Sequence, residues 1–403
     1  MEASLKLGNG DWGVKNDSLL AYDDFGGKFR PLPFDFTRAS SATVVNKQGL
    51  IETVQSGIPR IDFSDDVNGA LKLEPQSTNL TPYSEDFSNS YWIKSGASVT
   101  SGFSSPSGDL SAFKLVEDTS NGGHNTYSQT ASVNNGATVT NSIIVKKGEN
   151  NWILLRNGYL DWGYYFDLEN GIVGQKSGPG SVDYSINALT DGWYRISVTM
   201  QVPSTQANLH IYLVKSDGGS LSYTGDGTSG IYIYGAQLEQ NSYPTSYIPT
   251  SGASATRNQE LCNDATPVIN SEEGTLYFEI SALADDLTYR SISISNNTAQ
   301  NQLLMEYEGV TNKFRVYLAV SNNIDGLISV TINTTQNNKI AYKYAENNLA
   351  LWINGVEVGS FTGTKAMMAA NTMTNLSFTR GNNTQPFFGN TKGLKYYPKA
   401  LAD

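Results

Sequence analysis

The 403-residue sequence is short of cysteine, histidine, charge and long apolar runs, and each shortage removes a class of protein. A single cysteine, Cys262, excludes an intrachain disulfide. Two histidines, His124 and His210, leave no material for a His-rich metal centre and argue against a histidine-dependent triad. Charged residues make up 16% of the chain, against about 25% in ordinary domains. The balance of 27 basic and 38 acidic residues gives a net charge of −11. Nucleic acid or an anionic membrane is therefore not expected as the main partner, because both need a cationic surface. No stretch approaches the ~20 apolar residues of a membrane span. Met1–Lys6 lacks the basic and apolar regions of a secretory leader, so a soluble chain that leaves a cell by another route, such as lysis, is expected. No window carries a sustained 3.6-residue apolar period with caps, so helices are not expected either.

Ser, Thr, Asn and 38 Gly take the place of the missing charge. Aromatics reach 11%, with 23 Tyr, too many for a disordered chain. Hydroxyls, tyrosines and glycines together read as all-β with many turns. In Trp193–Val202, one face holds Tyr194, Ile196, Val198, Met200 and Val202, and Pro203 ends the run. Val139, Asn141, Ile143 and Val145 continue the pattern. Leu209, Ile211 and Leu213 alternate with His210 and Tyr212, which gives His210 a structural place. Further along, Leu276, Phe278 and Ile280, then Phe314, Val316 and Leu318, then Ile340, Tyr342 and Tyr344, repeat the alternation. Asn170-Gly171 and Asn354-Gly355 each sit between such runs and predict type I′ hairpins. Strands every ~8–12 residues without helices predict two antiparallel β-sandwich, jelly-roll domains.

The expected divisions are an extended N-terminal region over 1–80, a sandwich over 81–250, a small polar linker over 251–265 and a second sandwich over 266–403. Residues 1–80 carry turn residues (Gly8, Gly10, Gly13, Gly26, Gly27, Pro31, Pro33) and only short apolar pieces such as Leu71–Leu73. They need another surface, as a subdomain leaning on the next domain or as an anchor to a larger assembly. Gly8-x-Gly10-x-x-Gly13 matches a nucleotide fingerprint in form, but no strand precedes it and no helix follows to hold phosphate.

Three groups of segments carry a resemblance. Asp35–Thr43, with Gly49–Ile51, Pro59-Arg60, Leu73–Pro75 and Thr78–Leu80, resembles a segment recurrent in bacteriophage tail, fibre and head-appendage proteins. Tyr83–Phe87, Trp92, Gly192–Arg195, Gly235–Glu239 and Tyr247–Pro249 resemble jelly-roll carbohydrate-binding-module domains. Gly274–Glu279, Trp352–Gly355, Phe388-Gly389 and Tyr397–Leu401 look like a concanavalin A-like, laminin G-like domain. Together they imply a non-catalytic virion appendage, assembled in a host cytoplasm and released by lysis. Residues 1–80 would bind other virion proteins, the sandwiches would attach to a bacterial surface glycan, and the chain would be a homotrimer. A polysaccharide depolymerase and a purely structural decoration are the alternatives. Such sandwiches specify fold better than ligand.

A sugar-binding sandwich needs an aromatic platform and polar side chains for hydroxyls. The densest candidate is Trp152–Tyr165, where Trp152, Leu154 and Arg156 share a strand face and Tyr159, Asp161 and Trp162 follow in a Gly-flanked loop. Arg156, Tyr159, Asp161 and Trp162, with His124 in the loop Asn121–Asn125, are the glycan-binding candidates; core packing for the tryptophan and solvation for the histidine are the competing readings. Arg380 and Asn382, in the polar loop Thr379–Thr384, are rim candidates in the second sandwich, against a plain surface loop. Glycoside hydrolysis needs two carboxylates across a groove. Glu306 and Glu308, flanking Tyr307, are the nearest approach to such a pair, and two solvated side chains is the simpler reading. No catalytic residues and no cofactor are expected. Calcium is the one metal the sequence leaves open, around Asp217, Asp226 or Asp62–Asp66.

Overall fold

A computed structural model describes residues 3–9, 12, 14–15, 18–23, 28–31, 34–363 and 367–402. Strand accounts for 51% of the chain and helix for 1%. The helical element among the described residues is one turn, Thr190–Gly192. The all-β expectation therefore holds. Gly10, Gly13, Gly26, Gly27 and Pro33 lie outside the described residues.

The chain forms two compact units. One, the central unit, comprises Gln48–Thr53 and Gln76–Arg257. The other, here the composite unit, combines Met1–Lys47, Val54–Pro75 and Asn258–Asp403.

The central unit is built from two six-stranded antiparallel sheets. The first runs in the order Trp92–Ser95, Asn125–Ser128, His210–Val214, Trp152–Asn157, Trp162–Asp167, Ile172–Ser177. The second runs Ala97–Phe103, Ala112–Glu117, Gly230–Glu239, Thr138–Lys147, Trp193–Gln201, Asp183–Ala188. Alternation decides what each buries. Ile153, Leu155, Phe166, Ile211 and Leu213 from the first sheet meet Leu115, Ile143, Val145, Ile196, Val198 and Ile233 from the second in one core. Burying side chains of this size contributes roughly 1.5–3 kcal/mol each, the dominant favourable term.

The two Asn-Gly turns differ. Asn354 and Gly355 both have positive φ, 52° and 84°, and join Ile353 directly to Val356, as a type I′ turn requires. At Asn170-Gly171 only the glycine is left-handed, with φ 64°, and Asp167 pairs with Ile172 across four loop residues. The Asp167 carboxylate closes that loop by accepting from the Glu169 N–H at 2.9 Å and from Asn170 Nδ2 at 2.7 Å.

The composite unit corrects the expected divisions. Leu5–Gly8 pairs antiparallel with Gly389–Tyr397, which pairs in turn with Gly274–Ala282. The sheet continues through Asn338–Tyr344, Leu349–Ile353 and Val356–Phe361. A five-stranded sheet, Asn323–Thr331, Lys313–Val320, Gln302–Tyr307, Arg290–Ser295 and Asn375–Ser377, shares its core. Leu5, Leu7, Leu71 and Leu73 lie in that same core beside Leu276, Phe278 and Leu394. Leu5–Gly8, Arg60–Asp62 and Ala70–Leu73 are thus part of a sandwich sheet, because these short strands complete a sheet they could not form alone. Residues 251–265 are not a bare linker either. Ala255–Arg257 pairs with Ser77–Asn79, and Leu261–Asn263 pairs with Asp35–Thr37.

A buried ion network ties the composite unit's segments together. Glu260, fully buried, accepts from Arg38 Nη1 at 2.7 Å, from Arg60 Nε at 2.8 Å and from the Glu74 N–H at 3.0 Å. Arg60 also reaches Glu74 at 2.8 Å, and Arg38 closes on the carbonyl of Gln55 at 2.5 Å. Burial opposes the charge on Arg60, but Glu260 and Glu74 outweigh it and hold the guanidinium protonated. Two arginines and two glutamates out of water are tolerable only when partnered in this way.

Candidate functional site

The candidate site lies on the outward face of the first sheet of the central unit. Residues alternating with the core positions point there: Trp152, Leu154 and Arg156 on one strand, His210, Tyr212 and Val214 on the next, and Tyr127 beyond. The face divides in two. Its apolar half, Leu154, Tyr165 and Val214 with Trp152, Tyr212 and Leu221, forms a small separate cluster. The segment after Val214 covers this half, and Tyr165 donates to the Gly219 carbonyl at 3.3 Å.

The other half is a run of aromatic and polar side chains. The rings of Tyr127 and His210 lie 4.9 Å apart, and those of His210 and Tyr212 4.4 Å apart. The Arg156 guanidinium sits 4.5 Å from the Tyr212 ring centroid and donates from Nη2 to the Tyr212 hydroxyl at 3.0 Å. Stacking of this kind adds roughly 0.5–2 kcal/mol and fixes the fork. Nη1 of Arg156 meets Asp161 Oδ1 at 2.9 Å. The arginine side chain is 10% exposed while that of Asp161 is 66% exposed, so the pair presents its carboxylate outward. Asp161 takes this position through a left-handed backbone, φ 57°. Tyr159, in the same loop, has an exposed ring and a hydroxyl bonded to Thr130.

His210 completes the run. Its Nε2 faces Asn125 Oδ1 at 3.0 Å. Burial, and then the Arg156 charge, push its pKa from 6.5 down to about 3, so the ring is neutral near pH 7. A neutral ring that donates at Nε2 carries a lone pair at Nδ1. A β-carbon at Gly158 would stand 2.9 Å from that nitrogen and equally close to Asn208 Oδ1, whose acceptor instead takes the Gly158 N–H at 2.8 Å.

The structure brings together some of the residues expected in a site and separates others. Arg156 and Asp161 pair, and Tyr159 shares their loop. Trp162 does not join them. Arg156 pairs with Gly163 and Asn157 with Trp162, so Trp162 falls on the core-facing side of the strand. It packs against the core, and a β-carbon at Gly178 or Gly180 would run into its indole. His124 is fully buried, its Nδ1 2.5 Å from the Gly96 carbonyl and its Nε2 3.0 Å from that of Tyr223. Both residues hold the fold. Tyr127, His210 and Tyr212 are the residues that sequence reasoning missed. The signal was present, because polar side chains alternating with Leu209, Ile211 and Leu213 must face away from the core.

In the composite unit, Arg380 Nη2 donates to the Tyr317 hydroxyl at 3.2 Å, and Asn382 accepts from Thr384 at 2.6 Å within its own loop. Glu306 is buried against Arg315, with Nε at 2.6 Å, and the same arginine reaches Glu308 at 3.6 Å. One cation bridges both carboxylates. The acids weighed for calcium are engaged by their own chain: Asp217 by the Gln175 N–H at 2.6 Å, Asp226 by the Thr228 N–H at 2.7 Å, Asp62 by Lys72 at 3.1 Å. No group of three metal-ligating side chains converges among the described residues.

No protein-family model matches the chain, and no curated protein matches it. Among solved structures, the mouse laminin alpha1 chain, domains LG4-5, is similar at 12% identity, over 67% of this chain and 87% of that one, with a TM-score of 0.24.

Proposed function

We propose that this chain is a non-catalytic binding protein that takes a glycan on the outward face of its central unit. We further propose that it serves as a bacteriophage virion appendage attaching to a bacterial surface polysaccharide. The observation that carries the binding reading is the run Tyr127–His210–Tyr212–Arg156–Asp161, a fixed guanidinium and an exposed carboxylate on an aromatic base. Sugar hydroxyls both donate and accept. Asp161 supplies acceptors, Arg156 supplies donors, and the exposed Tyr159 ring supplies a flat surface for a sugar's C–H face. The virion setting rests on the resemblance of Asp35–Thr43 and the segments after it. A trimer and an anchoring role for residues 1–80 belong to the same reading. So does the absence of catalysis, supported by the bridging of Glu306 and Glu308 through Arg315.

The test is binding of the purified chain to immobilised bacterial surface polysaccharides, with reducing ends measured in parallel. We expect binding near the millimolar to micromolar range, about −4 to −8 kcal/mol per site, raised on a virion by multivalency. Tyr159→Ala should weaken it about tenfold with little change in melting, whereas Trp162→Ala should cost about 3 kcal/mol of stability. New reducing ends would favour a depolymerase instead. No binding to any polysaccharide, alongside virion incorporation, would leave a structural decoration.

A further inference from the structure

A second cluster in the central unit, away from the binding face, places an amine, an amide and a carboxylate in reacting order. Val214 pairs with Trp152, which brings Lys215, just past the end of one strand, near Asn150, two residues before the start of the other. Lys215 Nζ lies 2.9 Å from Asn150 Oδ1. Glu117, the buried last residue of Ala112–Glu117, receives Lys215 Nζ at 2.8 Å on Oε1 and 2.9 Å on Oε2. The Asn150 amide nitrogen donates to the same Oε2 at 3.0 Å. The nitrogen that would lose a proton and the nitrogen that would gain one therefore share a single carboxylate oxygen. Tyr223 roofs the group, its ring centroid 4.8 Å from Nζ and its hydroxyl 2.7 Å from Oε2.

We propose that Lys215 and Asn150 are joined by a self-formed amide cross-link, with Glu117 carrying the proton. Glu117 takes a proton from the Lys215 ammonium. The free amine attacks Cγ of Asn150, and a turn of the flexible lysine stem carries Nζ from the carbonyl oxygen onto the carbonyl carbon. In the tetrahedral adduct, the Nζ–Cγ bond is made. Glu117 passes its proton to Nδ2, the Cγ–Nδ2 bond breaks, and ammonia leaves. Of the two protons then on Nζ, one stays as the amide N–H and the other passes through Glu117 to the departing ammonia, so ammonium is released and the carboxylate ends as it began. No oxidant or cofactor enters the balance. Burial raises the pKa of Glu117, but bonds from Lys215, Tyr223, Asn150 and the Asp226 N–H outweigh it and keep the carboxylate ionised. The Lys215 side chain is 46% exposed, which gives ammonia a way out. Holding reactants in contact replaces a bimolecular encounter with an effective concentration far above any in solution.

The test is intact mass spectrometry of the full chain, fully denatured, followed by trypsin digestion. We expect a chain lighter than its sequence by one ammonia. The digest should show peptide 148–156 covalently joined to 196–257, uncut at Lys215 because its amine is blocked. Glu117→Gln and Lys215→Arg should each return the full sequence mass. Lys215→Arg preserves the ion pair with Glu117, so it remains informative if the glutamine variant fails to fold. The full sequence mass in the unaltered chain would overturn the proposal and leave an ordinary ion pair. A missing ammonia mapped instead to a cyclic imide at Asn170-Gly171 or Asn354-Gly355 would overturn it as well.

Discussion

Arginine–carboxylate pairs occur in both units, and their burial separates architecture from a surface open to ligand. In the composite unit, Arg60 and Glu260 are both 0% exposed, and every group around them belongs to the chain. In the central unit, Arg156 is fixed beneath Tyr212 while Asp161 stands 66% exposed. A sealed pair offers a ligand nothing and is retained for the fold it specifies. A pair with one member outward keeps a rigid donor and leaves its acceptor open. Arg315, which bridges a buried Glu306 and a half-buried Glu308, lies between the two kinds.

The largest effect should come from the sealed network. Glu260→Ala leaves the guanidiniums of Arg38 and Arg60 buried with fewer partners, and should destabilise by about 3–5 kcal/mol. Calorimetry should show one melting transition falling while the central unit's transition stays in place. Equal shifts of all transitions would break the division between the two units.

A smaller effect should come from His210. Its folded pKa of about 3 lies below the ordinary 6.5, so the unfolded chain binds more protons in that window. The neutral ring's contribution is full above pH 6.5 and is lost as pH falls from there towards about 3. At pH 5 the loss is about 2 kcal/mol. His210→Gln should remove this slope between pH 6.5 and 5, measured by urea unfolding at each pH. An unchanged slope would mean that the ring does not stay neutral in the fold.

The strands, the two-sandwich plan and the Asn354-Gly355 turn were legible because each depends on local alternation or on two adjacent residues. The composite unit was not. Leu5–Gly8 completes its sheet against Gly389–Tyr397, and nothing local in either segment marks a partner so distant in sequence. The site was half legible. Arg156 and Asp161 stood out as separate charged residues among aromatics, and their pairing came only with the fold. Trp162 was read as a loop residue, but the next strand begins at Trp162 and its pairing with Asn157 turns the indole to the core-facing side, and no local signal marks that start. His210 and Tyr212 were visible as the polar side of an alternating strand but carried no motif. Asn150, Lys215 and Glu117 come from three segments far apart in sequence, so only the fold assembles them.

Asp161→Asn tests the central claim most directly, because it removes the outward charge while keeping the side chain's size. Polysaccharide affinity and melting temperature should be read on the same sample. An exposed pair contributes about 0–1 kcal/mol to stability, so melting should barely move. A hydroxyl bond to a charged acceptor contributes about 1.5–3 kcal/mol, so affinity should fall at least about tenfold. Unchanged affinity for a polysaccharide that the unaltered chain binds would contradict the account and take the binding face away from Arg156 and Asp161.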